Sequence, residues 1–185
     1  MWQKTIGLHL WIIADTPGAE ALLEDLFRQT QKVLIDEDFG ELVLQFPYRT
    51  RLLAREEYPT QLCDEIWPQS FKNVVVKHCD LSFVATDGSM ELLLGVNPGF
   101  HGEYLNDPDR NMDESPLKSW LVDKKNDIFS PAMTATYWWL YHPTEKNSCG
   151  EPAIYSFSYS DGLKSLGDFN VGGLFLRYVL DILLQ

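Results

Sequence analysis

The chain has 185 residues, with 27 Asp and Glu against 15 Lys and Arg and a formal net charge of -12. Six Trp, eight Tyr and ten Phe accompany that acidity, so it reads as a folded domain with a negative skin and not as a disordered acidic tail. Such a surface repels nucleic acid and anionic lipid, which argues against functions that need a basic groove, and it attracts basic partners.

The length predicts a single domain over residues 1–185. A chain of this size buries roughly 70% of its unfolded surface and needs no disulfide or metal staple. Cys63, Cys79 and Cys149 are odd in number and far apart. They read as single buried thiols in a reducing compartment. The apolar stretch from Ile6 to Ala14 is interrupted by His9 and closed by Asp15, so it predicts neither a signal peptide nor a membrane span. The expectation is a cytoplasmic protein.

Ile6, Leu8, Leu10 and Ile12 alternate as a strand. Thr16 and Pro17 then predict a helix start, with Thr16 as its cap. Leu22, Leu23, Leu26, Phe27, Thr30, Val33 and Leu34 continue one apolar stripe over about five turns, and Glu24 and Arg28 have the spacing of a helical ion pair. Leu42, Leu44 and Phe46 form a strand stopped by Pro47, which gives an opening β-α-β unit. Arg49, Arg51 and Arg55 surround Leu52 and Leu53, and either strand or helix can carry this basic cluster. A short helix is predicted from Pro59 or Thr60 to Trp67, ended by Pro68, and Val74–Val76 reads as a strand. Asp87-Gly88 joins Leu81–Thr86 to Met90–Gly95 as a hairpin.

Residues 97–131 are rich in Pro, Gly, Asn and Asp, and a loop of that length is usually functional or mobile. Ala135–Tyr141 reads as an aromatic strand, Ala153–Tyr159 as its antiparallel neighbour, and Asp161-Gly162 as a turn. A final helix follows Asp168 as its cap, with Phe169, Gly173, Leu176, Val179, Leu180 and Leu183 in helical spacing. These elements together predict an α+β fold: a mostly antiparallel sheet with the β-α-β unit at its start and the last helix packed on it.

No catalytic motif reaches the strength of the composition. Asp107, Asp109, Asn111 and Asp113 imitate a calcium loop, but Met112 takes the place of its Gly and Lys118 that of its closing Glu. The acidic residues Asp107, Asp109, Asp113 and Glu114 are instead candidates for contact with a basic protein. Tyr137, Trp139 and Tyr141 share one face of the aromatic strand and are candidate anchors for such a contact if that face is exposed, or core if it is covered. His101 with Asp80 offers an acid–base pair, and with it a small hydrolase or transferase. A structural adaptor subunit is a third possibility, marked by a large exposed apolar patch. His78-Cys79-Asp80 has no partner at zinc-ligand spacing. No metal, cofactor or nucleic acid is expected, and nothing in the sequence sets the oligomeric state.

The order of parts in the second half carries a family likeness. Tyr58-Pro59-Thr60-Gln61-Leu62 leads to the hairpin Phe83–Leu94, then to Glu151-Pro152-Ala153-Ile154-Tyr155-Ser156-Phe157, and last to Ser165–Phe169 opening a helix with Leu174-Phe175-Leu176. Over roughly residues 58–185 this resembles the SUKH superfamily. The Asn-Gly-Gly usual after its first helix and the second Gly of its hairpin are absent here, and the opening β-α-β unit is an addition. The resemblance implies a bacterial immunity protein that neutralises a toxin by binding it, with a basic toxin domain as partner and no catalytic residues.

Overall fold

Among the described residues, every strand lies beside its neighbours in the chain. The computed structural model describes residues 18–36, 41–47, 51–55, 67–77, 80–85, 87–95, 117, 130–158 and 160–184, with backbone alone at 36, 41, 51–55, 74–77, 80 and 90. Nine strands run in spatial order β1 (Lys32–Asp36), β2 (Glu41–Gln45), β3 (Arg51–Arg55), β4 (Asp80–Val84), β5 (Met90–Gly95), β6 (Ala132–Thr134), β7 (Trp138–Lys146), β8 (Pro152–Ser158) and β9 (Gly162–Ser165). All eight pairings are antiparallel. The described residues also form helices α1 (Ala19–Gln29), α2 (Gln69–Lys77) and α3 (Val171–Leu183). The class is α+β, with a mostly antiparallel sheet and the C-terminal helix packed on it. The strand expected at residues 6–13 lies outside the described residues.

One face of the sheet carries the core. Leu42, Leu44 and Phe46 in and after β2, Leu81 and Phe83 of β4, Leu92 and Leu94 of β5, and Trp139 and Tyr141 of β7 take alternate positions, so the pleat sends each set to one side. There they meet Leu23 and Leu26 of α1, Trp67 and Phe71 beside and within α2, and Phe175, Leu176 and Val179 of α3 in a single buried cluster. Helix α3 packs against both α1 and α2. Its apolar residues run almost continuously, and Arg177 and Asp181, four apart, mark its solvent side. On the opposite face of the sheet Leu140 and Phe157 are buried with Leu117, and Trp138, Tyr155 and Leu163 pack around them.

Several local expectations are corrected. Helix α1 ends at Gln29, not at Leu34, because Thr30 turns extended and returns its N–H and hydroxyl to Leu26 and Phe27 carbonyls. The β-branched residues that follow then form β1 against β2, with Val33 opposite Leu44 and Ile35 opposite Leu42. At its start the cap position is Gly18, in the left-handed conformation, so the helix begins two residues later than expected. Arg28 pairs with Asp25, not Glu24.

Val74–Val76 belongs to α2 and not to a strand. Pro68 stands just before α2, and its carbonyl accepts the Lys72 N–H at 3.0 Å. It therefore opens α2, a position proline tolerates well. The helix expected at 59–66 lies outside the described residues. Ala135 and Thr136 form the bend between β6 and β7, where Thr134 Oγ1 accepts the Tyr137 N–H at 2.9 Å, so the aromatic strand begins at Trp138. Strand β9, which the sequence reading lacked, follows the Asp161-Gly162 turn.

The cap of α3 is Asn170, whose Oδ1 accepts the Gly173 N–H at 3.0 Å. Asp168, the expected cap, accepts the Ser148 N–H at 2.6 Å instead and ties the β7–β8 turn to the entry of α3. The chain reaches this arrangement through Gly167 at φ +88, where an added Cβ would sit 3.3 Å from the Phe169 ring. The hairpin between β4 and β5 forms as expected. Gly88 takes φ +87, its N–H reaches the Ala85 carbonyl at 3.0 Å, and Asp87 accepts from Ser89 N and Oγ.

Replacing Phe175, fully buried where α3 meets the sheet, by Ala is expected to cost about 3–5 kcal/mol in urea unfolding. Leu184→Ala, at an exposed position just beyond the helix, should stay within about 0.5 kcal/mol. Equal losses would remove α3 from the centre of the core.

Candidate functional site

The bend between β6 and β7 and the turn between β8 and β9 lie at one end of the sheet. Thr134 fixes the first: its N–H donates to the Tyr137 carbonyl at 2.8 Å while its Oγ1 accepts from Tyr137 N. Ser158 Oγ fixes the second by accepting the Asp161 N–H at 3.0 Å. The two turns then meet side chain to side chain. Tyr137 donates its hydroxyl to Asp161 Oδ2 at 2.8 Å, and Lys164 Nζ stands 3.7 Å from the same oxygen.

The bond between half-buried Tyr137 and exposed Asp161 lies at the surface, and other polar groups gather near it. The hydrogen bond to Asp161, and then that carboxylate's charge, raise the Tyr137 hydroxyl above the ordinary tyrosine value. Tyr178, half-buried on α3, packs edge-on against Trp139 with ring centroids 5.9 Å apart. Burial is the main cause that raises its hydroxyl, with added contributions from Glu91 of β5 and from Tyr137. Two tyrosines, two carboxylates and one lysine therefore share this end. The arrangement offers flat aromatic area next to negative charge, which suits a basic protein surface. Sequence reasoning named Tyr137 but missed Asp161, Tyr178 and Glu91. Only the Asp161-Gly162 turn signal bore on them.

The structure separates the other two aromatics from Tyr137. Trp139 is 2% exposed and Tyr141 7%, and both belong to the core that the helices cover. Their burial gives them packing roles and takes them out of the anchor set. On the far side of β7 the ring of Trp138 lies 6.1 Å from that of Phe157.

Tyr141 borders a second polar group, at the other end of β7. Glu151 accepts the Ser70 N–H at 2.8 Å and the Ser70 hydroxyl at 2.5 Å. A carboxylate beside a serine hydroxyl is a possible base and nucleophile. Here, however, the carboxylate also takes a backbone N–H of the first turn of α2, which makes it a helix cap supplied from 81 residues away in the chain. Burial pushes the Tyr141 hydroxyl well above its ordinary value, and the Glu151 charge adds to this while Ser70 opposes it. Asn147 completes the turn: its Oδ1 accepts from Cys149 N and Glu151 N, and its Nδ2 donates to the Phe169 carbonyl at 3.1 Å.

His142 has a structural task. Its Nδ1 accepts the N–H groups of Thr144 and Glu145, at 3.2 and 2.8 Å, where the β7–β8 register is interrupted between Tyr141 and Lys146. Tyr155 donates to Glu145 Oε2 at 2.6 Å across the same irregularity. Cys149 is exposed in the turn, in contrast to the buried thiol expected there.

Asp107, Asp109, Asp113, Glu114 and His101 lie outside the described residues, as do Cys63, Cys79 and His78. Asp80 takes the first position of β4, in register with Arg55 of β3 and Gly95 of β5. Among the described residues no group of His, Cys, Asp and Glu could hold a metal ion, and no helix is long and apolar enough to cross a membrane.

A raised tyrosine value has a definite sign. The Tyr137–Asp161 bond contributes fully below the ordinary tyrosine value of about 10 and is lost as pH rises through the higher value of the folded protein. Asp161→Asn should therefore move the Tyr137 ring signal to a lower titration midpoint in a site-resolved NMR titration, and an unchanged midpoint would uncouple the two. Comparison with protein-family models, with curated proteins and with solved structures finds no match to this chain.

Proposed function

We propose that this protein is a non-enzymatic binding protein, an immunity-type protein that neutralises a basic toxin domain in a bacterial cytoplasm by covering a surface the toxin needs. The observation that carries this reading is the exposed Tyr137–Asp161 pair. It sets an aromatic anchor beside a carboxylate on a chain of net charge -12. A tyrosine held by a hydrogen bond loses little side-chain entropy on binding, and a neighbouring carboxylate steers a basic partner into contact.

Two further features support it. The segments that resemble the SUKH superfamily fall on connected parts of the fold: Phe83–Leu94 on the β4–β5 hairpin, Glu151–Phe157 on the entry and body of β8, and Ser165–Phe169 on the link into α3. Asp107, Asp109, Asp113 and Glu114 supply four more carboxylates within eight residues, a local negative charge that suits the same basic partner.

The test is a tagged pull-down from the native lysate with low-salt and then high-salt washes. One stoichiometric basic protein is expected, released by salt. Tyr137→Ala and Asp161→Lys should each weaken its binding roughly tenfold or more, and the triple reversal of Asp107, Asp109 and Asp113 to Lys should slow association most at low salt. Absence of any partner, or a partner held equally well by all the variants, would overturn the reading.

A further inference from the structure

Asp161 already holds a cation from its own chain. Lys164 Nζ stands 3.7 Å from Asp161 Oδ2, with 63% of the lysine side chain and 36% of the aspartate side chain exposed. An exposed pair at that distance is weak and easily given up. The Tyr137 hydroxyl donates to the same oxygen at 2.8 Å. A carboxylate has about four acceptor sites, and these two contacts share one oxygen. Asp161 can therefore take a further donor without giving up Tyr137.

The tyrosine is held at both ends. Its N–H donates to Thr134 Oγ1 at 2.9 Å and its carbonyl accepts the Thr134 N–H at 2.8 Å, while Asp161 holds the hydroxyl. A ring fixed in this way sets a π surface beside a carboxylate that meets solvent. A guanidinium suits these two neighbours together. It is planar, so it can lie against the ring, and its fork of N–H donors can reach the carboxylate at the same time. The ammonium of Lys164 is a point charge and supplies only the second of these contacts.

We propose that the Tyr137–Asp161 pair is a binding site for one arginine side chain of a partner protein, and that Lys164 is a placeholder which that arginine displaces. This rests on the reading of the surface as a partner-binding site and adds what the partner must present there. The chain's own ammonium partly offsets the carboxylate until a better-fitting cation arrives. Loose positive charge on a wrong partner then gains little, and arginine gains most, which makes Lys164 a source of selectivity.

Titration of the full chain with hexa-arginine and hexa-lysine, two peptides of equal charge, tests this at the site itself. In site-resolved NMR the Tyr137 ring and the Gly162 amide should respond to hexa-arginine, which should bind about threefold or more tighter than hexa-lysine. Tyr137→Ala should abolish that preference. Lys164→Met should tighten hexa-arginine binding roughly two- to fivefold beyond what Lys32→Met achieves. Lys32 is exposed on β1, eight strands away in the sheet order, and its loss changes the net charge by the same amount. On an Asp161→Asn background the extra gain from Lys164→Met should vanish, a coupling that net charge alone cannot produce. Equal binding of the two peptides, a Lys164→Met gain no larger than that of Lys32→Met, or a gain that survives Asp161→Asn would each overturn the proposal. A basic partner found in the lysate while the peptides fail removes the arginine site alone. Selective peptide binding with no partner in the lysate supports the arginine site and removes the proposed function alone.

Discussion

The burial of α3 on one face of the sheet is the constraint from which most other features follow. Val171, Phe175, Leu176 and Val179 are fully buried in the cluster that also holds the alternating residues of β2, β4, β5 and β7. Hydrophobic burial has no direction of its own, so polar contacts must fix where the helix starts. Asn170 caps it, Asp168 ties its entry to the β7–β8 turn, and Arg177 lies 5.0 Å over the Phe169 ring. The same turn reaches α2 through Glu151 and Ser70. A few hydrogen bonds at one end of β7 and β8 thus orient α2 and α3 above the core.

The candidate binding surface depends on that arrangement from the opposite end. Trp139 is committed to the core, and its ring supports Tyr178 from below. Tyr137, two residues earlier, escapes burial because Thr134 bends the chain just before β7 begins. The aromatic run therefore divides between two tasks. Its strand residues hold the helices, and the residue in the bend meets solvent beside Asp161.

The parts of this fold that the sequence disclosed are those fixed by local chemistry. Asp87-Gly88 marked the β4–β5 hairpin because few residues other than Gly accept φ +87, and the alternation of Leu42, Leu44 and Phe46 marked β2 and its buried face. Where two patterns overlap, the reading fails. Val33 and Leu34 continue the helical spacing of α1, yet β2 claims them as a strand. Val74–Val76 has strand propensity, yet the start of α2 at Pro68 and the Glu151 cap decide for helix. Asp168 and Asn170 are both cap-type residues two apart, and the contact with Ser148 chose between them. The candidate site was half legible for the same reason: Tyr137 lies in a recognisable aromatic run, but its partner Asp161 is 24 residues further on, and no local pattern announces that pairing.

The meander has a consequence for how the chain acquires its fold. Each described strand pairs with the one made just before it, so hydrogen-bonded ladders can grow in the order of synthesis, at low loop-closure cost where the connections are short, as between β4 and β5. The apolar face of those ladders is completed only later. Helix α1 packs on α3, and α3 follows all nine strands in the chain. During synthesis the growing sheet must therefore keep Leu42, Phe83, Leu94 and Trp139 uncovered by α3 until that helix has been made. Exposed apolar sheet surface of this kind is what chaperones bind and what aggregates form from. The charges of a strongly acidic chain then have a role before the native state exists, since mutual repulsion keeps unfinished copies apart while the last helix is still to come.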